Sequence, residues 1–145
     1  MTRILPIFLF LLMGITTIAR GEEKVITAPL ANFEAHVGLR ILIDVRQFTE
    51  WRKTGVPVGA KEISIDARGG EKVFVTKVTK MVGGNKDTPI SLICARGVRS
   101  SKAAIVLSGA GFTNIRNVRE GVLGNRKDGP GWLKHKLLTQ PCKNC

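Results

Sequence analysis

Cys94 stands where a short apolar run, Ile90-Ser91-Leu92-Ile93, ends and a helix-forming run from Ser100 onward begins. A buried strand that turns tightly into a helix leaves the first N–H groups of that helix without intrahelical partners. They converge on whatever sits above the turn. Between strand and helix lie Ala95, Arg96, Gly97, Val98 and Arg99. Two guanidinium groups and the positive end of the helix dipole favour thiolate over thiol, and the thiolate is the nucleophile. An unperturbed thiol, with a pKa of about 8.5, is only a few per cent ionised at neutral pH, so the loop has to lower that value. The chemistry this spacing points to is covalent catalysis by a sulfur anion at the mouth of a cradle of main-chain donors. The competing reading, a structural cysteine packed in the core, is the commoner fate of a lone thiol. A turn carrying two arginines argues against it.

The run Cys94-Ala95-Arg96-Gly97-Val98-Arg99-Ser100 resembles the active-site loop of the rhodanese sulfurtransferases, Cys-x-x-Gly-x-Arg-Ser or Thr. Cysteine-dependent phosphatases place five residues between cysteine and arginine, whereas four separate Cys94 from Arg99. The resemblance implies a loop that holds one sulfur atom as a persulfide, ringed by backbone amides. It also implies sulfur transfer from a small anionic donor such as thiosulfate to cyanide or a thiol. No metal or organic cofactor is called for.

Further features carry the resemblance over most of residues 25–138. Asp44-Val45-Arg46 looks like the family's strand-end Asp-x-Arg, and Gly55 to Ala60 ends in the Gly-Ala of its Gly-His-Ile-x-Gly-Ala turn. Val56 stands near the histidine of that turn, so any polar role it has in relatives is missing. Gly111-Phe112 matches the step into the last strand, and Gly121 to Trp132 the glycine-rich closing turn and its tryptophan. The fold implied is α/β, with a five-stranded parallel sheet flanked by helices on both faces.

Within the loop, Gly97 supplies the positive φ and close backbone approach that wrapping one sulfur requires. In a curled loop, residues two and five past the cysteine face different ways. Arg96 is expected to contact the incoming anion and Arg99 to brace the loop. Ser100 is expected to cap the following helix by accepting a first-turn N–H. Asp44 and Arg46 read as a structural pair at a strand end. His36 and His135 read as surface residues; a cysteine hydrolase needs an oriented histidine base, and neither sits in such a setting. Trp51, Trp132, Phe33, Phe48, Phe74 and Phe112 read as packing residues.

The elements that position these residues alternate strand and helix, the pattern of an α/β domain. Strands are expected at 25–27, 40–45, 61–65, 89–93 and 114–118, and helices at 30–36, 47–53, 73–82, 100–108 and 132–138. A Gly/Pro loop covers 54–60. For 73–82 the valines favour strand, but apolar residues at Val75, Val78 and Val82 follow helical spacing, and helix is preferred.

At 145 residues the chain is long enough for one core. Met1-Thr2-Arg3, an uncharged and mostly apolar stretch over 4–18, and the small residues Ala19 and Gly21 read as a secretory signal cut after Gly21. A spanning helix needs roughly twenty apolar residues, so an uncleaved anchor is the weaker reading. The expected organisation is signal peptide 1–21, domain 22–138 and a cysteine-containing tail 139–145, with export to the periplasm or beyond and no stable membrane insertion after cleavage. Cleavage takes Lys plus Arg from 23 to 21 and leaves all 11 acidic residues, for a charge of +10. Such an excess steers anions inward. Export and the lack of a dense basic run argue against nucleic acid as a partner.

Three cysteines in an exported chain leave one unpaired. Cys142 and Cys145 are spaced to bond to each other, leaving Cys94 free. The same pair could instead resolve the Cys94 persulfide or act as a thiol–disulfide redox couple. A structural zinc usually takes four ligands, and nothing completes that set.

Overall fold

The computed structural model describes residues 24–143 and 145; the expected signal peptide, 1–21, lies outside the described residues. In chain order the elements are β1 (Val25–Ile26), α1 (Ala28–His36), β2 (Ile41–Asp44), α2 (Phe48–Thr54), β3 (Val56–Pro57), β4 (Lys61–Glu62), α3 (Gly70–Met81), β5 (Ile90–Ile93), α4 (Val98–Gly109), β6 (Ile115–Val118), α5 (Gly131–Lys134) and β7 (Thr139–Gln140). Five strands form one parallel sheet in the order β1-β6-β5-β2-β4. The strand that carries Cys94 at its end is therefore central. Its run is apolar because both faces are covered, as parallel sheets require.

Alternation along the strands divides the core into two layers. Ile90, Leu92 and Cys94, with Ile43 and Val45, face Phe74 and Val78 of α3 and Ala103 and Leu107 of α4. Leu42 and Ile93 face Ala28 and Ala31 of α1, Trp51 of α2 and Trp132 of α5. Each large apolar side chain so buried contributes roughly 1.5–3 kcal/mol. Helix α3 confirms that the spacing of the valines outweighs their strand preference.

Several expectations need correction. Helix α4 begins at Val98, not Ser100, because Gly97 adopts φ 86° as its N-cap. The last helix ends at Lys134 rather than 138, since Lys136 turns the chain with φ 57°. The loop over 54–60 contains β3, which pairs antiparallel with β7, so the tail from 139 onward starts inside a strand of the domain. Phe74 and Phe112 are buried, as are Trp51 and Trp132, but Phe33 (57% exposed) and Phe48 (53%) lie on the surface. His36 is exposed, whereas His135 is half-buried with Nε2 3.7 Å from Glu120 Oε2. Val56, which stands near the place of the histidine in the turn it resembles, is fully buried in the apolar layer.

Candidate active site

The end of β2 is fixed by a buried ion pair. Arg46 donates from Nε and Nη2 to the Asp44 carboxylate, the shortest bond being 2.6 Å, and both residues are buried. The guanidinium also donates to Thr54 Oγ1 and the Gly55 carbonyl. A buried charge pair is tolerated only when its remaining donors are satisfied, and here they tie β2 to the end of α2. Neither residue hydrogen-bonds Cys94. Their place is structural, at the end of the neighbouring strand β2.

Cys94 follows Ile93 and keeps the strand's alternation, so Sγ points into the α3/α4 layer. The residue is 1% exposed. The sequence placed the sulfur at the mouth of the cradle; the fold places it at the bottom. Among the described residues no main-chain N–H donates to Sγ, and its one hydrogen-bond partner is Ser100 Oγ at 3.2 Å. Ser101 N donates to Gly97 O as the first bond of α4, which leaves the N–H groups of Val98, Arg99 and Ser100 ahead of the helical ladder. They remain available to a group one bond further out than Sγ.

Ser100 thus lies inside the first turn and is not the cap. Its hydroxyl is 3.2 Å from both Sγ and the Gly97 carbonyl. A hydroxyl has one proton to give. Beside a thiol, Ser100 can donate to Gly97 O and accept from S–H; beside a thiolate it can turn and donate to sulfur. Ser100→Ala should therefore slow any thiolate-dependent step by roughly ten- to a hundredfold, as loss of a charge-assisted hydrogen bond worth about 1.5–3 kcal/mol implies. Single-turnover rates at several pH values would measure this, and an unaltered rate would remove the hydroxyl from the chemistry.

Arg99 holds the loop through the neighbouring elements. Its Nη1 and Nη2 reach Glu50 Oε2 and Oε1, both at 2.6 Å, and Nη1 also lies 3.3 Å from Asp66. Glu50 closes the capping box of α2 as well, accepting Gln47 N–H at 3.1 Å. Hydrogen bonding to Arg99, partly opposed by burial, holds the Glu50 carboxyl below its ordinary value of 4.5. Reciprocally, the Glu50 bonds push the Arg99 guanidinium still higher. A depressed carboxyl contributes stability that is complete above its unfolded pKa and is lost as pH falls through the folded one. Wild type should lose thermal stability below about pH 4.5 more steeply than Glu50→Gln, by an amount near the ~1 kcal/mol of a half-exposed pair. Parallel melting curves from pH 6 to 3 for the two proteins would contradict this.

Arg96 turns the other way, donating from Nη1 to the Gly124 carbonyl at 3.1 Å, and is exposed. The closing turn packs directly on the loop: Val122 N donates to Cys94 O at 2.8 Å and Leu123 N to Ala95 O at 2.9 Å. Gly97 and Gly121, both at positive φ, make this approach possible. A Cβ on Gly97 would run into the Arg119 carbonyl, and one on Gly121 would sit 2.5 Å from the Ala95 carbonyl.

A rhodanese-like domain model matches residues 28–127, which include β2, β5, the loop and the first part of the closing turn. The chain belongs to the rhodanese-like domain family. An uncharacterized protein of Rickettsia prowazekii is 30% identical over 101 residues, 68% of this chain and 81% of that one. Among solved structures, the rhodanese-like domain of an Anabaena protein matches with TM-score 0.65 at 19% identity, covering 83% of this chain and 80% of that one. A Mycobacterium tuberculosis protein matches at 0.62 and 25% identity, over 81% and 96%. The polysulfide-sulfur transferase of Wolinella succinogenes shares the fold at 0.58 and 21% identity, over 84% and 81%.

In this rhodanese-like domain Cys142 and Cys145 are bonded to each other, with Cα atoms 5.8 Å apart. They lie on the face opposite Cys94 Sγ. Cys142 packs on the layer containing Trp51, Ile93 and Trp132, and Lys143 N donates to Glu62 Oε1 at 2.9 Å. Glu62 is in register with Asp44, and Asp44 with Ile93, so these side chains share that face. Cys142 and Cys94 thus belong to different layers of the core.

The sequence missed two groups that matter. Glu50 was visible only as part of a capping box, Gln47-x-x-Glu50; its pairing with Arg99 spans 49 positions. The role of Ser100 was hidden by a helix start two residues too late. Among the described residues no helix is long and apolar enough to cross a membrane, and no group of three His, Cys, Asp or Glu could hold a metal ion.

Proposed function

We propose that the protein is an exported sulfurtransferase that carries a sulfane sulfur on Cys94. The observation that carries this reading is a single free thiol at the end of the central strand, hydrogen-bonded by Ser100 beneath a loop matching the family's Cys-x-x-Gly-x-Arg-Ser. Function follows from such a site, since the fold itself hosts many. The Cys94 thiolate attacks the outer sulfur of a donor such as thiosulfate. The donor's S–S bond breaks, and sulfite leaves with the bonding pair. The terminal sulfur of the Cys94 persulfide extends one bond of about 2.05 Å outward, toward the unpaired N–H groups of Val98, Arg99 and Ser100. A cyanide or thiolate acceptor then attacks that terminal sulfur, and the electron pair of the breaking S–S bond returns to Cys94. Arg96 and the loop amides balance charge on donor and leaving group.

Intact mass after incubation with thiosulfate and desalting tests the reading. A gain of one sulfur, about 32 Da on the ladder of cysteine modifications, that cyanide then removes is expected. No gain would end the proposal.

The burial of Cys94 favours a second reading, a sulfur-carrier or binding module that loads slowly and does not turn over. Steady-state thiocyanate formation separates the two: stoichiometric loading without repeated turnover would select the carrier.

A further inference from the structure

On the side of the loop away from Arg99, Arg96, Arg126 and Lys134 line one hollow of about 500 Å³ with Leu123, Gly124 and Pro130. Among the described residues none of these three cations has a carboxylate within ion-pair distance. Asp128, the acid of that segment, is engaged by Arg119 at 3.8 Å. Three uncompensated charges around one concavity raise the local concentration of anions.

The hollow is built into the active loop rather than laid beside it. Leu123 N donates to Ala95 O and Arg96 Nη1 to Gly124 O. Asn125 fixes the far wall, donating from Nδ2 to Arg96 O and Arg119 O and accepting the N–H groups of Lys127 and Asp128 on Oδ1. One of its lining residues, Arg96, is two along the chain from Cys94. The volume falls in the range of organic-ligand sites, roughly 300–1,000 Å³, and is far more than a five-atom sulfur oxyanion fills. Of the two substrates of a ping-pong transfer, the one that fits is the larger.

We propose that this hollow binds the carboxylates of the sulfur acceptor, an organic thiol bearing two of them, and so sets acceptor preference. The assignment rests on the sulfur-transfer reading above. Arg126 and Lys134 are the specificity-determining residues, with Arg96 bridging hollow and loop.

The test is unloading of the persulfide by a graded series: mercaptosuccinate with two carboxylates, 3-mercaptopropionate with one, 2-mercaptoethanol with none. Protein loaded with thiosulfate is mixed with each, and loss of about 32 Da is timed. The ratio of the mercaptosuccinate rate to the mercaptoethanol rate should fall about tenfold or more in Arg126→Gln/Lys134→Gln, because two charge-assisted contacts are lost. It should also fall with added salt in the wild type. A ratio that the double variant does not move would overturn the proposal, and an acidic protein as the true occupant would give that result. Titration of unloaded protein with succinate, read by amide shifts of Gly129 and Lys134, separates the two levels. Shifts absent in Arg126→Gln alone support the site even if thiosulfate never loads Cys94, a failure that would sink the transfer reading and the acceptor role with it. Equal shifts from sulfate would mark an unselective anion patch and overturn the assignment.

Discussion

Cys94→Ala should yield a folded protein that gains no mass from thiosulfate and forms no thiocyanate. The loss is expected to be complete, because no second free thiol is present among the described residues and Cys142, bonded to Cys145, belongs to a different layer of the core. The side chain packs with Leu92, Ala103 and Leu107, so removing one sulfur atom should cost about 1–2 kcal/mol in transfer and cavity terms, too little to unfold a domain of this size. Cys94→Ser isolates the chemistry further. It keeps shape and a partner for Ser100, yet a hydroxyl cannot form a persulfide. A serine variant that still gained mass would place the sulfur elsewhere, with Cys142 or Cys145 the first residues to examine.

Gly121→Ala is expected to be nearly as damaging by a different route. At φ 68° an L-residue is strained by roughly 1–2 kcal/mol, and its Cβ would lie 2.5 Å from the carbonyl carbon and oxygen of Ala95 and 2.6 Å from Arg96 N. These are main-chain atoms of the active loop and cannot rotate aside. Either the closing turn or the loop must move, for a total cost of about 3 kcal/mol or more and a drop in melting temperature on the order of 10 °C. Displacement of a reacting group by about 1 Å can cost 100-fold in rate, so the surviving protein should transfer sulfur poorly even well below its melting point. Gly38→Ala provides the comparison: φ is 74°, but a Cβ there meets nothing within 4 Å. If the two variants melted and reacted alike, backbone strain alone would explain Gly121 and the close approach would carry no weight.

The centre of the sheet was legible because the apolar runs Ile41-Leu42-Ile43 and Ile90 to Ile93 read as buried strands without context. Helix α3 was legible through the spacing of its valines. What escaped were features that depend on pairing across distance. The two-residue strands β3 and β7 pair residues more than eighty apart, and neither segment carries a pattern of its own. The loop spacing points to Arg99 as a brace, but its partner Glu50 lies 49 positions away. Ser100 was assigned to the cap because the left-handed Gly97 starts α4 two residues early, and that shift turns its hydroxyl from the helix backbone toward sulfur. The depth of Cys94 could have been anticipated: Ile90, Leu92 and Cys94 share one parity, and the layer that takes the first two takes the third.

That depth has a consequence wherever oxidants reach the domain. Hydrogen peroxide, hypohalous acids and foreign disulfides modify the thiols they can touch, and attack follows accessibility as well as ionisation. Cys142 and Cys145 are already spent on each other, while Cys94, shielded by its own loop, can stay reduced until the loop admits a guest. Concealment of this kind preserves the reagent between encounters.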